Sequence, residues 1–450
     1  MVRLSALRAK HYGFQLSYSV FILRHMNTVF LLWSLLLIIL LEYIFRRYSS
    51  SPHEQMIAFF REIQWLLLFG LSVWFGALLF LLSCRKDLLL VILFLIVLSA
   101  HFSSQAISPV LDTFVLLFCA TLGMGAKFAL KNPAKIRFFL SGIVVFFAFF
   151  SYWHLDMTNN FYSGSRWMGL WDNPNCYGLL MGTGNALAIG LLARMKKEEC
   201  RMKKFQNIFL TVAAGMMLVG LVMSYSRGAW LGTGIGLLYL AWCYGKVKWK
   251  YVAVGVGLLA LGAMCFWGST ADSAPWYVKR ADLGRPSAQH RATAWRAGLE
   301  IMRDHPFGVG WNNAVSVYAK DYSPPEGGAA AITTNDYMMI GTELGIAALV
   351  CFVAYVGLCF RSPKPKVQSP RSGTDAALDI KPSTLDATKV ACRSGALVLL
   401  VAFWFDGGLF KLPTAALFWV LLELGAYRAP KVERRELMVK SQQGQMMKAE

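Results

Sequence analysis

An all-α, polytopic membrane protein is the fold class that three features of the sequence predict. Hydrophobic residues make up 56% of the 450-residue chain and charged residues 16%, against about a quarter charged in soluble domains. Apolar runs close to the roughly 20 residues that a bilayer-spanning helix needs recur along most of the length. Basic residues, 45 Lys and Arg against 25 Asp and Glu, gather in alternate connections between those runs, as the positive-inside pattern requires. This composition excludes a disordered chain, and the absence of a heptad or Gly-X-Y period excludes coiled coil and collagen.

The chain opens with a cytoplasmic segment, 1–27, carrying four basic residues. Nine spans are expected within 28–268, near 28–45, 63–82, 88–102, 109–126, 138–154, 174–192, 206–224, 229–244 and 251–268. A long, partly helical external loop, 269–336, follows, then a tenth span at 337–360, a Ser/Pro/Lys-rich cytoplasmic linker at 361–392, two spans within 393–427 (393–410 and 412–427), and a polar cytoplasmic tail at 428–450. That makes about twelve spans with both termini inside. With this parity, and with Arg393 at the edge of its span counted with the linker, the inside connections hold 32 of the 45 basic residues, and 7 of the remaining 13 lie in the long external loop, where the charge rule is weak. No cleavable signal peptide is expected, because the first run is long enough to anchor. Nine cysteines lie in or beside spans without Cys-x-x-Cys or Cys/His spacing, so no disulfide framework and no metal site is expected. The Gly-rich strings at 178–190 and 232–236 fall inside spans and suit close helix packing rather than phosphate binding.

Polar residues in such a chain mark function, because ionisable groups within or at the rim of a membrane are expensive. Four clusters are expected on the outer side. The first is SRWMGLWDNPNCYG at 165–178, with Arg166, Asn173 and Asn175. The second is SYSRGAWLG at 224–232, a turn so short that Arg227 sits at the surface. The third, HRATAWRAGLEIMRDHPFGVGWNN at 290–313, contains His290, Arg291, Trp295 and His305. The fourth is TTNDYMMIGTELG at 333–345, with Thr334, Asn335, Asp336 and Glu343. At about 100° per residue the third cluster is an amphipathic helix. Arg291, Trp295, Gly298 and Met302 share its apolar face, whereas Arg296, Glu300 and Arg303 lie opposite, with Arg296 and Glu300 spaced for an i,i+4 pair. A cation on a buried face needs an anion. A ligand anion and an acid from another segment are both open, as is snorkelling of the side chain to the surface. The helix stops before Pro306.

These clusters, in this order and around one long loop, resemble the O-antigen ligase and polymerase superfamily of bacterial envelope glycan transferases. The resemblance covers roughly 110–427 and rests on four motifs: Arg166, Gly169, Asn173, Pro174 and Asn175; Ser226, Arg227 and Gly228; Arg291, Trp295, His305, Pro306, Gly308 and Gly310; and Asn335, Asp336, Tyr337, Glu343 and Gly345. It implies an inner-membrane enzyme, with its site facing the periplasm, that moves a glycan from an undecaprenyl-diphosphate carrier to a hydroxyl acceptor such as lipid A-core, another glycan or a protein, without cofactor or metal. Nucleic acid is not an expected partner; membrane lipids are. Where the family carries a histidine before the asparagine of the last motif, this chain has Thr334, whose hydroxyl cannot act as a base near neutral pH.

Within that resemblance, Arg227 and Arg291 are expected to hold the leaving diphosphate, with Arg166 close by, because a guanidinium binds phosphate oxygens bidentately and stays charged. Asp336, beside Thr334, and His290 are the candidates for the missing base, or no protein base is needed. His305 is expected to shape its loop, Glu343 to pair with an arginine, and Asn173, Asn175, Trp295 and Asn335 to line the substrate. Ligase and repeat-unit polymerase look alike at this depth. A polyprenyl-glycan flippase or a silent carrier-binding relative would use the same arginines without breaking a bond.

Overall fold

The computed structural model describes residues 85–103, 109–130, 133–150, 152, 161–162, 166–169, 171, 173–193, 201–244, 286–323, 334–361 and 384–427. The expected spans at 28–45, 63–82 and 251–268, the N-terminal segment, residues 269–285 of the outer loop, most of the 361–392 linker and the tail lie outside the described residues. What is described is mostly helix: α1 (Arg85–Ser103), α2 (Pro109–Ala129), α3 (Pro133–Phe150), α4 (Pro174–Leu192), α5 (Arg201–Met223), α6 (Arg227–Cys243), α7 (Pro286–Asp304), the short α8 (Ala314–Val317) and α9 (Asp336–Met339), α10 (Ile346–Phe360), α11 (Thr384–Ala402) and α12 (Leu412–Ala426). Four of these helices open on proline, whose fixed φ and missing N–H suit the first helical position. A two-residue antiparallel ribbon, β1 (Phe161–Tyr162) with β2 (Arg166–Trp167), is the one strand pairing among the described residues; its residues fall in the loop before α4, where no strand was expected.

Helix α11 is the centre of the bundle. It packs on α4, α6 and α12, while α12 also packs on α2, α4 on α5, and α10 on α1. Small residues make these approaches possible. Gly232 and Gly236 of α6 lie against Val398 and Ser394 of α11, so close that a Cβ would strike the neighbouring helix, and the Ser394 hydroxyl donates to the Gly236 carbonyl at 2.8 Å.

Two expected spans are corrected. The run 337–360 is not one continuous helix: it forms α9, a π-helical turn (Ile340–Leu344) and α10, broken at Gly345, which has φ 91°. The reason is external. The amides of Val309 and Gly310 donate to the carbonyls of Thr342 and Glu343, and Ile346 N–H donates to Pro306, so the outer loop takes acceptors a regular helix would use. The run 393–410 also stops early, at Ala402, and 403–411 is a turn instead. Among the described residues, no helix is long and apolar enough to cross a membrane. Outward faces are nevertheless apolar: Leu95, Phe138, Phe149, Phe209, Leu218 and Val353 are all exposed.

Candidate functional site

Three chain segments meet where α4 and α6 begin and α11 ends. The first is built by a cap. Asn173 begins α4 in extended conformation and its side-chain oxygen accepts the Asn175 amide at 2.8 Å, relieving one of the unpaired N–H groups at a helix start. Asn175 in turn accepts from the Arg166 guanidinium at 2.6 Å, and the Arg166 Nε donates to the Ser224 carbonyl at 3.0 Å. Arg166, Asn173 and Asn175 therefore form a brace between the ribbon, the start of α4 and the turn before α6.

That turn carries the second segment. Tyr225 has a positive φ of 50°, a conformation unusual for a tyrosine. Ser226 caps α6 by accepting the Ala229 amide, and Arg227 is the first helical residue, half-buried. The Ser226 hydroxyl also donates to Asp406 Oδ2 at 2.7 Å. The other carboxylate oxygen, Oδ1, lies 3.8 Å from Arg291 Nη2. Gly228 completes the contact, because a Cβ there would come within 2.5 Å of Asp406 Oδ2. Arg291 thus finds an acid from a distant segment. Arg296 and Glu300, both exposed, form no ion pair, consistent with the weakness of solvated pairs.

Asp406 belongs to the turn 403–411, the third segment, and that turn is held by Asp336. The Asp336 carboxylate is buried, and its Oδ2 accepts the amides of both Gly408 and Leu409 at 2.7 and 2.8 Å, while its own N–H donates to the Phe403 carbonyl. Burial pushes its pKa up to about 7, opposed by those two amides and by Lys411 nearby. Asn335, fully buried, caps α9 by accepting from Tyr337 and Met338. Thr334 precedes it, half-buried.

The 305–310 loop is farther from Arg291, at the other end of α7. Gly308 and Gly310 adopt φ of 87° and 91°, and Gly308 packs directly on the Glu343 carbonyl. Glu343, buried, accepts from the Asn312 amide at 2.9 Å. Among the described residues no arginine pairs with it; the backbone amides of Asn312 and Ala314 are its partners. His305 is exposed at the end of α7 and its carbonyl accepts from Gly308; His290 is half-buried beside Arg291. A cavity of about 460 Å³, lined among others by Ile92, Leu95, Ile96, Phe307 and Glu343, opens between α1 and this loop.

A family model described as O-antigen ligase matches residues 212–353. Across that stretch the chain is similar to the O-antigen ligase family. No curated protein and no solved structure matches the chain. The matched segment contains Arg227, Arg291, His305, Thr334, Asn335, Asp336 and Glu343, whereas Arg166, Asn173, Asn175 and Asp406 fall outside it. The structure brings Ser226, Arg291 and Asp336 onto the 403–411 turn, braces Arg166 against Ser224 and Asn175, and leaves His305 and Glu343 on the loop side. Asp406 is the residue that sequence reasoning missed. Its one available signal was an acid within an apolar run, WFDGGLFK, at the outer edge of a span.

Proposed function

We propose that this O-antigen ligase-type glycosyltransferase binds an undecaprenyl-diphosphate-linked glycan on the periplasmic side of the bacterial inner membrane and transfers the glycan to a hydroxyl acceptor such as lipid A-core. The single observation that carries this reading is the convergence on Asp406. Its two oxygens take Ser226, next to Arg227, and Arg291, so two arginine-bearing segments far apart in sequence are fixed beside one another. Two arginines on segments held together in this way suit a diphosphate, and preorganised charge is worth most where a leaving group becomes an anion.

In the transfer, the acceptor oxygen bonds to the anomeric carbon and the bond from that carbon to phosphate breaks. The diphosphate departs as an anion held by Arg227 and Arg291, and the acceptor proton passes to water or a phosphate oxygen as the new bond forms. Asp336, buried and accepting two amides, serves this scheme as the clamp of the 403–411 turn. Arg166, Asn173 and Asn175 brace the Arg227 turn. The membrane setting is supported by the 56% hydrophobic composition, by the charge asymmetry and by the apolar outward faces; about twelve spans with both ends inside fit these features.

The test is turnover by the purified full-length protein in lipid nanodiscs. Free undecaprenyl diphosphate is expected to appear only when donor and acceptor are both present. Binding of the donor without any release of diphosphate would replace this reading with the carrier-binding one that Thr334 favours.

A further inference from the structure

An aromatic ledge stands beside the Arg291–Asp406 pair. Trp295 follows Arg291 by four residues on α7 and therefore shares its face. Its ring meets Trp404 edge-on at 5.8 Å and Phe405 at 6.1 Å, and Trp404 meets Tyr337 at 5.5 Å. Trp404 and Phe405 immediately precede Asp406 in the 403–411 turn. Four rings and the carboxylate that holds Arg291 are thus contiguous.

Core packing does not account for Trp404. Phe403, the first residue of the turn, is fully buried, whereas Trp404 is 38% exposed. The Trp295 indole nitrogen is buried with no hydrogen-bond partner among the described residues, a state that costs free energy until an acceptor arrives. Lipid hydrocarbon offers no acceptor. A sugar offers both an apolar C–H face that matches a flat indole and hydroxyl oxygens that accept from an N–H. Position agrees as well: four residues of helix separate Arg291 from Trp295, about 6 Å along the axis, and a sugar joined directly to a diphosphate lies within about one ring of the cations.

We propose that Trp404 and Trp295 form the subsite for the pyranose ring attached to the diphosphate, the ring stacking on Trp404 and a hydroxyl accepting from Trp295 after a small side-chain adjustment. This rests on the diphosphate reading of Arg227 and Arg291. The subsite selects carriers that bear a sugar over bare carrier.

The experiment compares binding of undecaprenyl diphosphate with binding of undecaprenyl-diphosphate N-acetylglucosamine by the full chain in nanodiscs. Wild type is expected to bind the sugar-bearing carrier about three- to tenfold more tightly. Trp404→Ala should abolish that preference while leaving binding of the bare carrier unchanged; Trp404→Leu, which keeps apolar bulk without a ring, should do the same, and Trp404→Phe should retain part of it. Arg291→Ala should weaken both carriers together. Equal affinity of wild type for the two carriers, or an equal loss of both in Trp404→Leu, as a membrane-interface anchor would give, overturns the sugar subsite. Failure of wild type to bind bare undecaprenyl diphosphate sinks the diphosphate reading itself, so the two failures are distinct.

Discussion

At the scale of single residues, Asp406 decides how Arg291 is held. Removing it leaves the Ser226 hydroxyl without its acceptor and Arg291 without its acid, and the guanidinium is then free to move. Asp406→Ala is expected to lower transfer about 10- to 100-fold through misplacement of Arg291, and Arg291→Ala about 10²- to 10³-fold, the range for loss of one preorganised charge donor. Both are read as diphosphate release per amount of inserted protein; near-normal release from either variant removes the corresponding residue from the scheme. Asp336 gives a prediction of another kind. Its carboxyl binds a proton more tightly in the fold, with pKa about 7, than in the unfolded chain, at about 4. The folded state is therefore favoured where the group is protonated. Stability from this residue falls as pH rises from about 4 to about 7, and is level above that. Asp336→Asn keeps an oxygen to accept the Gly408 and Leu409 amides and loses the titration. Thermal unfolding should show wild type losing more stability between pH 5 and pH 8 than Asp336→Asn; identical pH dependence would show that Asp336 does not titrate in this range.

At the scale of elements, much was legible where one chain segment sets its own structure. Helix α4 runs over the 174–192 interval that its apolar run predicts, and the capping asparagine and Pro174 mark its start. Helix α7 ends at Asp304, one residue before the His305-Pro306 step. The π-helical turn and the 403–411 turn were not legible, because each is made by a distant partner. The 305–310 loop draws carbonyls out of the α9–α10 run, and Asp336 draws the amides of 408–409 out of what reads as an apolar span. For the same reason the Arg291 partner could be foreseen only as an unnamed acid: Asp406 is 115 positions further along the chain. The loop on the π turn depends on glycine. Gly308 and Gly345 both have positive φ, and a Cβ on either meets backbone of the other segment, so no rotamer change relieves the clash. Gly308→Ala and Gly345→Ala should each destabilise the fold by roughly 2–3 kcal/mol, whereas Gly234→Ala, where a Cβ meets nothing within 4 Å, should be neutral. Thermal unfolding in detergent measures both; an unchanged midpoint in Gly308→Ala would show that the loop docks some other way.

At the scale of the whole molecule, the basic residues do two jobs that net charge conceals. The formal +20 combines a majority expected on one side, where it orients the spans, with a few expected on the other, Arg291 beside Asp406 among them. If that division is correct, opposite ends of the described bundle face opposite compartments. Lys135, exposed at the start of α3, and Arg303, exposed near the end of α7, belong to the two sides. Placed singly in a background without the native cysteines, Lys135→Cys and Arg303→Cys provide the test, using a membrane-impermeant maleimide on right-side-out vesicles. Arg303→Cys should label at once, and Lys135→Cys only after the bilayer is permeabilised, because a charged maleimide cannot cross hydrocarbon. Labelling of both positions without permeabilisation would overturn the proposed topology, and would remove with it the argument that the Arg227–Arg291 pair meets a lipid-linked substrate from outside. Labelling as expected would place those arginines, Asp406 and the aromatic ledge on the side opposite the basic majority, so that the two populations of charge act independently.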